Sequence, residues 1–113
     1  MQLEEITAAL AGVLKEVEVL TREERRGFAL IKVVLRLADG STLRIWEKYK
    51  AGKIDKYSYY WLDPLNECIM GWDNAAHHCA VTTFPHHKHV GKEVSLAKEK
   101  LPDILALIRE RLR

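Results

Sequence analysis

The chain has 113 residues, of which 48% are hydrophobic and 30% are charged, with two cysteines and a net charge of +2. This composition excludes a disordered chain and a secreted disulfide framework, and it predicts a single domain spanning residues 1–113. No apolar run approaches the roughly 18 residues of a membrane span. The acidic residues 1–5 do not resemble a secretion signal. We therefore expect a cytoplasmic protein with free thiols.

The positive charge is concentrated in the middle of the chain. Residues 22–56 carry ten Lys or Arg and five Asp or Glu. A local excess of five positive charges is compatible with a polyanionic partner but does not by itself identify one.

Apolar spacing predicts the elements in chain order. A helical period indicates an N-terminal helix over residues 3–14, and strand character begins weakly near residue 17. Period-two alternation predicts strands at 28–38, 42–50, 54–62 and 68–72, separated by the turns Asp39-Gly40, 51–53 and 63–66. Residues 73–91 show no period and are predicted to form a long loop. A C-terminal helix follows from residue 101. The predicted fold class is α+β: an antiparallel β-meander of four to five strands flanked by N- and C-terminal helices.

The predicted strand at 42–50 has a basic face. Arg44, Trp46, Lys48 and Lys50 alternate with apolar residues and can bind RNA by charge and stacking, and Tyr59 on the next strand is a further stacking candidate. The alternative is a solvated sheet face with Trp46 packed under a helix and Tyr59 packed on the sheet.

All five histidines lie between residues 77 and 89. Imidazole is the side chain that changes charge or binds metals near neutral pH. If the protein has a catalytic or metal site, we predict that it lies in this segment. The five are His77, His78, His86, His87 and His89.

Three blocks in this region resemble the TumE family, whose members are regarded as the toxin half of type II toxin–antitoxin pairs. The blocks are KYSYYW at 56–61, GWDNAAHH at 71–78 and TFPHHKH at 83–89. The resemblance implies a toxin role and a cognate antitoxin protein as partner, and it supplies no catalytic mechanism. Two positions depart from the family pattern: Tyr60, where the family often has histidine, and Ala76, where it often has proline.

A histidine-dependent ribonuclease is the leading hypothesis. RNA cleavage needs a base for the 2′-hydroxyl proton, an acid for the leaving oxygen and a cation on the phosphate, and imidazole suits both proton roles. If residues 86–89 are extended, His87 and His89 share one side about 7 Å apart. Lys88 or a strand arginine would hold the phosphate. This mechanism requires no cofactor.

The other candidates in this segment complete the predicted site. His86 joins the catalytic candidates. Four further residues would support catalysis by orienting the imidazoles: Asp73, Asn74, His77 and His78.

Two alternatives remain open. The segment can hold Zn²⁺, with ligands drawn from His77, His87, His89 and Cys79 and with Asp73 nearby, although the spacing matches no strong zinc motif. It can also be a structural loop in which Asp73 and Asn74 cap a short helix and the imidazoles pair with backbone groups. The chain would then be a non-catalytic partner- or metal-binding protein.

Overall fold

The computed structural model describes residues 3–74, 87–90, 93–96 and 100–113. Within these ranges, no helix is long and apolar enough to cross a membrane. The two helices are α1 (Leu3–Ala9) and α2 (Leu101–Leu112). The strands are β1 (Leu14–Arg25), β2 (Phe28–Leu37), β3 (Thr42–Lys50), β4 (Lys53–Leu62), β5 (Cys68–Asp73), β6 (His87–Val90) and β7 (Glu93–Leu96).

The strands form one antiparallel sheet in the order β1-β2-β3-β4-β5-β6-β7. The predicted α+β class, the meander and the flanking helices are confirmed. The described sheet has seven strands where four to five were predicted. Strand β6 lies inside the segment predicted to be loop, because four residues are too short to show a period of two. The rest of that predicted loop, residues 75–86 and 91, lies outside the described residues.

Both helices pack on one face of the sheet, which we call the core face. Alternate residues of β2 to β5 meet apolar residues of α1 and α2 there, and the indole of Trp72 is fully buried. Burial of apolar surface of this kind is the main driving force for folding. The core-face strand residues are Val33, Leu35, Leu37, Leu43, Ile45, Tyr59, Trp61, Met70 and Trp72.

The Asp39-Gly40 hairpin is fastened to this core by a short polar chain. Gly40 has a φ of +88°, which favours glycine. The Asp39 carboxylate accepts hydrogen bonds from the Ser41 amide at 2.9 Å and from the Ser41 hydroxyl at 2.5 Å. The indole N–H of Trp61 donates to the Ser41 hydroxyl oxygen at 3.0 Å. The turn therefore fixes the β2–β3 register and orients a core tryptophan.

A buried carboxylate lies on the same core face. Glu47 is only 2% exposed. Tyr59 donates a hydrogen bond to its Oε2 at 2.5 Å, and Tyr49 donates to its Oε1 at 3.0 Å. Burial, with the charge of Glu47, raises the pKa of Tyr59 and raises the pKa of Tyr49 to about 12. Both phenols therefore stay protonated donors at neutral pH, as a buried carboxylate requires.

Replacing Tyr59 with Phe should destabilise the fold. The change removes a hydrogen bond to a buried charged group, which contributes about 1.5–3 kcal/mol to the free energy of unfolding. Tyr49→Phe removes the longer bond from a more exposed ring, and we expect a smaller loss. Urea denaturation of both variants and the parent measures the difference. Equal stability of Tyr59→Phe and the parent would contradict the role given to this bond.

Candidate nucleic-acid interface

The opposite side of the sheet, which we call the outer face, carries none of the packing of α1 or α2. Cross-strand pairing puts two rows of residues on it, because directly paired residues share a face. One row runs Lys32, Trp46, Ser58, Asp73 and His87 across β2 to β6. The other row runs Val34, Arg44, Tyr60, Gly71 and His89.

A cleft of about 760 Å³ lies on the outer face. Cations and aromatic rings both contribute to its lining, so it can receive an anion and a flat ring together. Its lining includes Lys32, Arg36, Arg44, Trp46 and Tyr60.

The cations of the outer face differ in how far they are already neutralised. Arg36 pairs with Glu18 at 3.0 Å and with Glu16 at 3.5 Å. Lys48 lies 3.9 Å from Asp55. In the described part of the chain, Lys32 and Arg44 form no ion pair. These two residues therefore provide the cleft with positive charge that a ligand can neutralise.

The structure places the predicted RNA-contacting residues on both faces of the sheet. Arg44 and Lys50 are exposed, and Lys48 and Trp46 are partly exposed. Trp46 lies in the cleft, and it is outside the core cluster into which both described helices pack. Tyr59, in contrast, is 3% exposed and bonded to Glu47. Its ring therefore packs on the sheet, the alternative that the sequence left open for it.

The β6 register bears on the predicted catalytic histidines. The segment is extended, as the predicted spacing of His87 and His89 required, and it pairs His87 with Asp73 and His89 with Gly71. Both register positions belong to the outer face, with β4 and β5 between them and Arg44. Lys88 pairs with Trp72, and its ammonium lies 5.5 Å from the centre of that ring. Lys88 therefore lies on the core side of the sheet, opposite to the face of His87 and His89, and its role on a phosphate stays a prediction.

Asp73 is a second buried carboxylate, on the outer face. It is 5% exposed, and Tyr60 donates a hydrogen bond to its Oδ2 at 2.5 Å. Burial raises the pKa of Tyr60, and the hydrogen bond to Asp73 and the charges of Asp73 and Cys68 raise it further. At neutral pH Tyr60 is therefore a hydrogen-bond donor and not a base.

Asn74, predicted to support the histidines, has a structural role in the sheet. Its side-chain oxygen accepts the Tyr57 amide at 2.9 Å, and its side-chain nitrogen donates to the Asp55 carbonyl at 3.1 Å. These bonds hold the end of β5 against β4.

The remaining predicted site residues lie wholly or partly outside the described part of the chain. His77, His78, Cys79 and His86 are not among the described residues, and of His87 and His89 only the backbone is described. Among the side chains that are described, no group of three or more His, Cys, Asp or Glu is placed to hold a metal ion. Cys68 is a free, half-buried thiol, and burial raises its pKa.

Sequence reasoning missed two residues of this surface, Lys32 and Tyr60. Both could be found from the alternation along their strands. Tyr60 lies between Tyr59 and Trp61, which face the core, and so it must share the face of Arg44. Lys32 alternates with Ile31 and Val33 along β2, but its link to Trp46 is made by pairing between strands, which is not visible in one sequence.

The described residues thus define a small α+β protein with a cleft on the outer face of its sheet that is lined by cationic and aromatic residues. Comparison with protein families gives a match over residues 4–113 to the family described as toxin TumE. Because the match covers essentially the whole chain, the protein belongs to the TumE family, and the predicted toxin role is supported. Comparisons with curated proteins and with solved structures gave no significant match.

The tyrosine–carboxylate pairs predict alkaline sensitivity. In each pair the pKa of the tyrosine is higher in the folded protein than its ordinary value of about 10. Their contribution to stability is therefore complete below about pH 10 and is lost as the pH rises through the folded-state pKa values. We expect the free energy of unfolding to fall above pH 10.

The variant Tyr60→Phe isolates one of these groups. Above pH 10 it should release one proton fewer on unfolding than the parent, which is read from the slope of unfolding free energy against pH. Identical slopes for the two proteins would contradict the pairing of Tyr60 with Asp73.

Proposed function

We propose that the protein is the toxin of a type II toxin–antitoxin pair and that it acts on RNA as an endoribonuclease through His87 and His89. The observation that carries the proposal is the β6 register, which assigns both histidine positions to the face that holds the cleft. A purely structural histidine segment would have no reason to share a face with cations that lack partners in the described chain.

The cleft suits single-stranded RNA. Phosphates are bound by Lys and Arg side chains, and bases of any sequence stack on aromatic rings. Lys32 and Arg44 supply the charge, and the half-exposed Trp46 supplies the ring. The backbones of Arg44 and His89 are three strands apart, about 14 Å at ordinary strand spacing. Over that distance, Arg44 is suited to a phosphate next to the scissile one.

The proposed chemistry is an internal transesterification. One imidazole takes the proton of the 2′-hydroxyl as its oxygen attacks the phosphorus, and the other gives a proton to the departing 5′-oxygen. The products are a 2′,3′-cyclic phosphate and a free 5′-hydroxyl, so protons and bonds balance. With Lys88 on the core side and Arg44 at the neighbouring phosphate, the protonated imidazole would supply the positive charge at the scissile phosphate.

The proposed partner is a cognate antitoxin that covers the cleft. A toxin whose cleft binds polyanions is most simply blocked by an acidic segment, because carboxylates can occupy the sites of the phosphates. Lys32 and Arg44 would then contact the antitoxin as well as RNA. The same surface would serve both ligands, and they would compete.

Mutation of the histidine strand tests the proposed activity. Induced expression of the parent should arrest growth with loss of total RNA, and His87→Ala with His89→Ala should abolish both, because removal of the acid and the base costs at least about 10²-fold in rate. Circular dichroism and soluble yield show whether the variant is folded. Arrest by the folded double variant equal to that of the parent would contradict the assignment, and arrest with intact RNA would move the target away from RNA.

A matched arginine pair tests the proposed RNA contact. Arg44→Gln should weaken binding of a short single-stranded RNA and reduce the slope of log Kd against log salt by about 0.7, the value for one phosphate contact. Arg36→Gln is the control, because Arg36 lines the same cleft with its charge already neutralised by Glu16 and Glu18. Fluorescence anisotropy measures both. Equal loss in the two variants would contradict a specific role for Arg44.

A further inference from the structure

The ring of Tyr60 lies across the backbone of β5. A Cβ atom built on Gly71 would stand 2.3 Å from two carbons of that ring, closer than any real contact. Gly71 is the backbone partner of both Tyr60 and His89. The ring therefore lies between the cleft, which it lines, and the histidine strand, and it occupies the space of the missing side chain.

The hydroxyl at the end of this ring meets Asp73. The 2.5 Å hydrogen bond and the burial of Asp73 fix one oxygen of its carboxylate. This carboxylate lies on the outer face, which also holds the cleft. Asp73 is the ladder partner of His87. A buried acid at this position is costly, and a bond from a neutral donor favours its charged form.

The two histidine positions consequently have different surroundings. His87 pairs with the buried acid Asp73 on β5 and with the apolar Leu96 on β7. His89 pairs with Gly71 on β5 and with Val94 on β7. On the outer face of β4, the ionisable residues Tyr60 and Lys56 flank Ser58, the ladder partner of Asp73. Tyr60 has Cys68 beside it, and its phenol stays protonated. A fixed negative charge close to one of two titratable groups separates their acid and base roles.

We propose that Tyr60 is a positioning residue that holds the Asp73 carboxylate for His87, and that this carboxylate makes His87 the general acid and leaves His89 as the general base. The assignment rests on the proposed ribonuclease function and divides its two proton roles. Asp73 stabilises the protonated imidazole of His87, so that His87 carries the proton that the leaving oxygen needs.

Direct titration of the histidines tests the assignment without requiring cleavage. In nuclear magnetic resonance spectra of the whole chain, the His87 imidazole, identified with His87→Gln, should titrate at a higher pH than that of His89. Asp73→Asn should lower the His87 midpoint by about one pH unit, the effect of losing an adjacent opposite charge. Tyr60→Phe should produce part of that shift and leave His89 unchanged.

The control is Tyr49→Phe, which also removes a phenol bonded to a buried carboxylate, but on the core face. It should leave both midpoints unchanged. Gly71→Ala supplies a second test, since it displaces the ring while keeping the phenol, and it should shift His87 as Tyr60→Phe does. Should Tyr60→Phe not fold, Asp73→Asn and Gly71→Ala decide the matter. A His87 midpoint that is the same in the parent and in the folded variants overturns the proposal.

The rate of RNA cleavage separates this proposal from the one on which it rests. In Tyr60→Phe, kcat should fall about tenfold with KM changed less than twofold, and the alkaline limb of the pH profile should move to lower pH while the acid limb stays. An inactive parent with the expected His87 shifts would overturn the ribonuclease and keep the positioning. An active Tyr60→Phe enzyme with the parent's pH profile would overturn the positioning alone.

Discussion

The packing of both described helices on one face is the constraint on which the rest of the structure depends. In an antiparallel sheet successive side chains alternate between the faces, so a slip of one residue would exchange the buried and exposed sets. The Asp39-Gly40 turn, joined through Ser41 to Trp61, fixes the register at the centre of the sheet. Once that register is set, the outer face necessarily collects the polar residues, and Arg44, Trp46 and Tyr60 become neighbours.

Each face of the sheet also buries one carboxylate and satisfies it with tyrosine. Glu47 on the core face receives two phenols. Asp73 on the outer face receives the phenol of Tyr60. The two groups are similar in chemistry and different in surroundings, since only Asp73 is paired with a histidine and lies beside a cleft. Glu47 therefore serves stability, and Asp73 is the one suited to chemistry.

The sequence was sufficient for most of the fold. Strong alternation over 28–38 and 42–50 and the helical period after residue 101 predicted β2, β3 and α2 closely, because long amphipathic elements leave a clear period. Strand β6 was missed because four residues carry no period, and β7 was missed for the same reason. The core-side positions of Lys88 and Tyr59 could not be predicted, because which side of a strand faces the core is settled by the whole sheet and not by one strand.

Less of the candidate site than of the fold could be predicted from the sequence. Arg44 and Trp46 could be placed on one face from alternation alone, and clustering alone drew attention to the histidines. The link between them could not be predicted, because it is made by pairing across β4 and β5, through Tyr60, Gly71 and Asp73. Tertiary neighbours of this kind are separated in sequence and joined only by the register.

The outer face is the proposed RNA-binding surface. The protein contains three tryptophans, and only Trp46 lines the cleft, while Trp72 is fully buried and the indole of Trp61 is bonded to Ser41. The most direct measurement follows the three indole N–H resonances while a short single-stranded RNA, methylated at its 2′-oxygens to prevent cleavage, is added. We expect the Trp46 signal to shift in proportion to saturation and the signals of Trp61 and Trp72 to stay in place. A Trp46 signal that stays in place while RNA binds would contradict binding on the outer face.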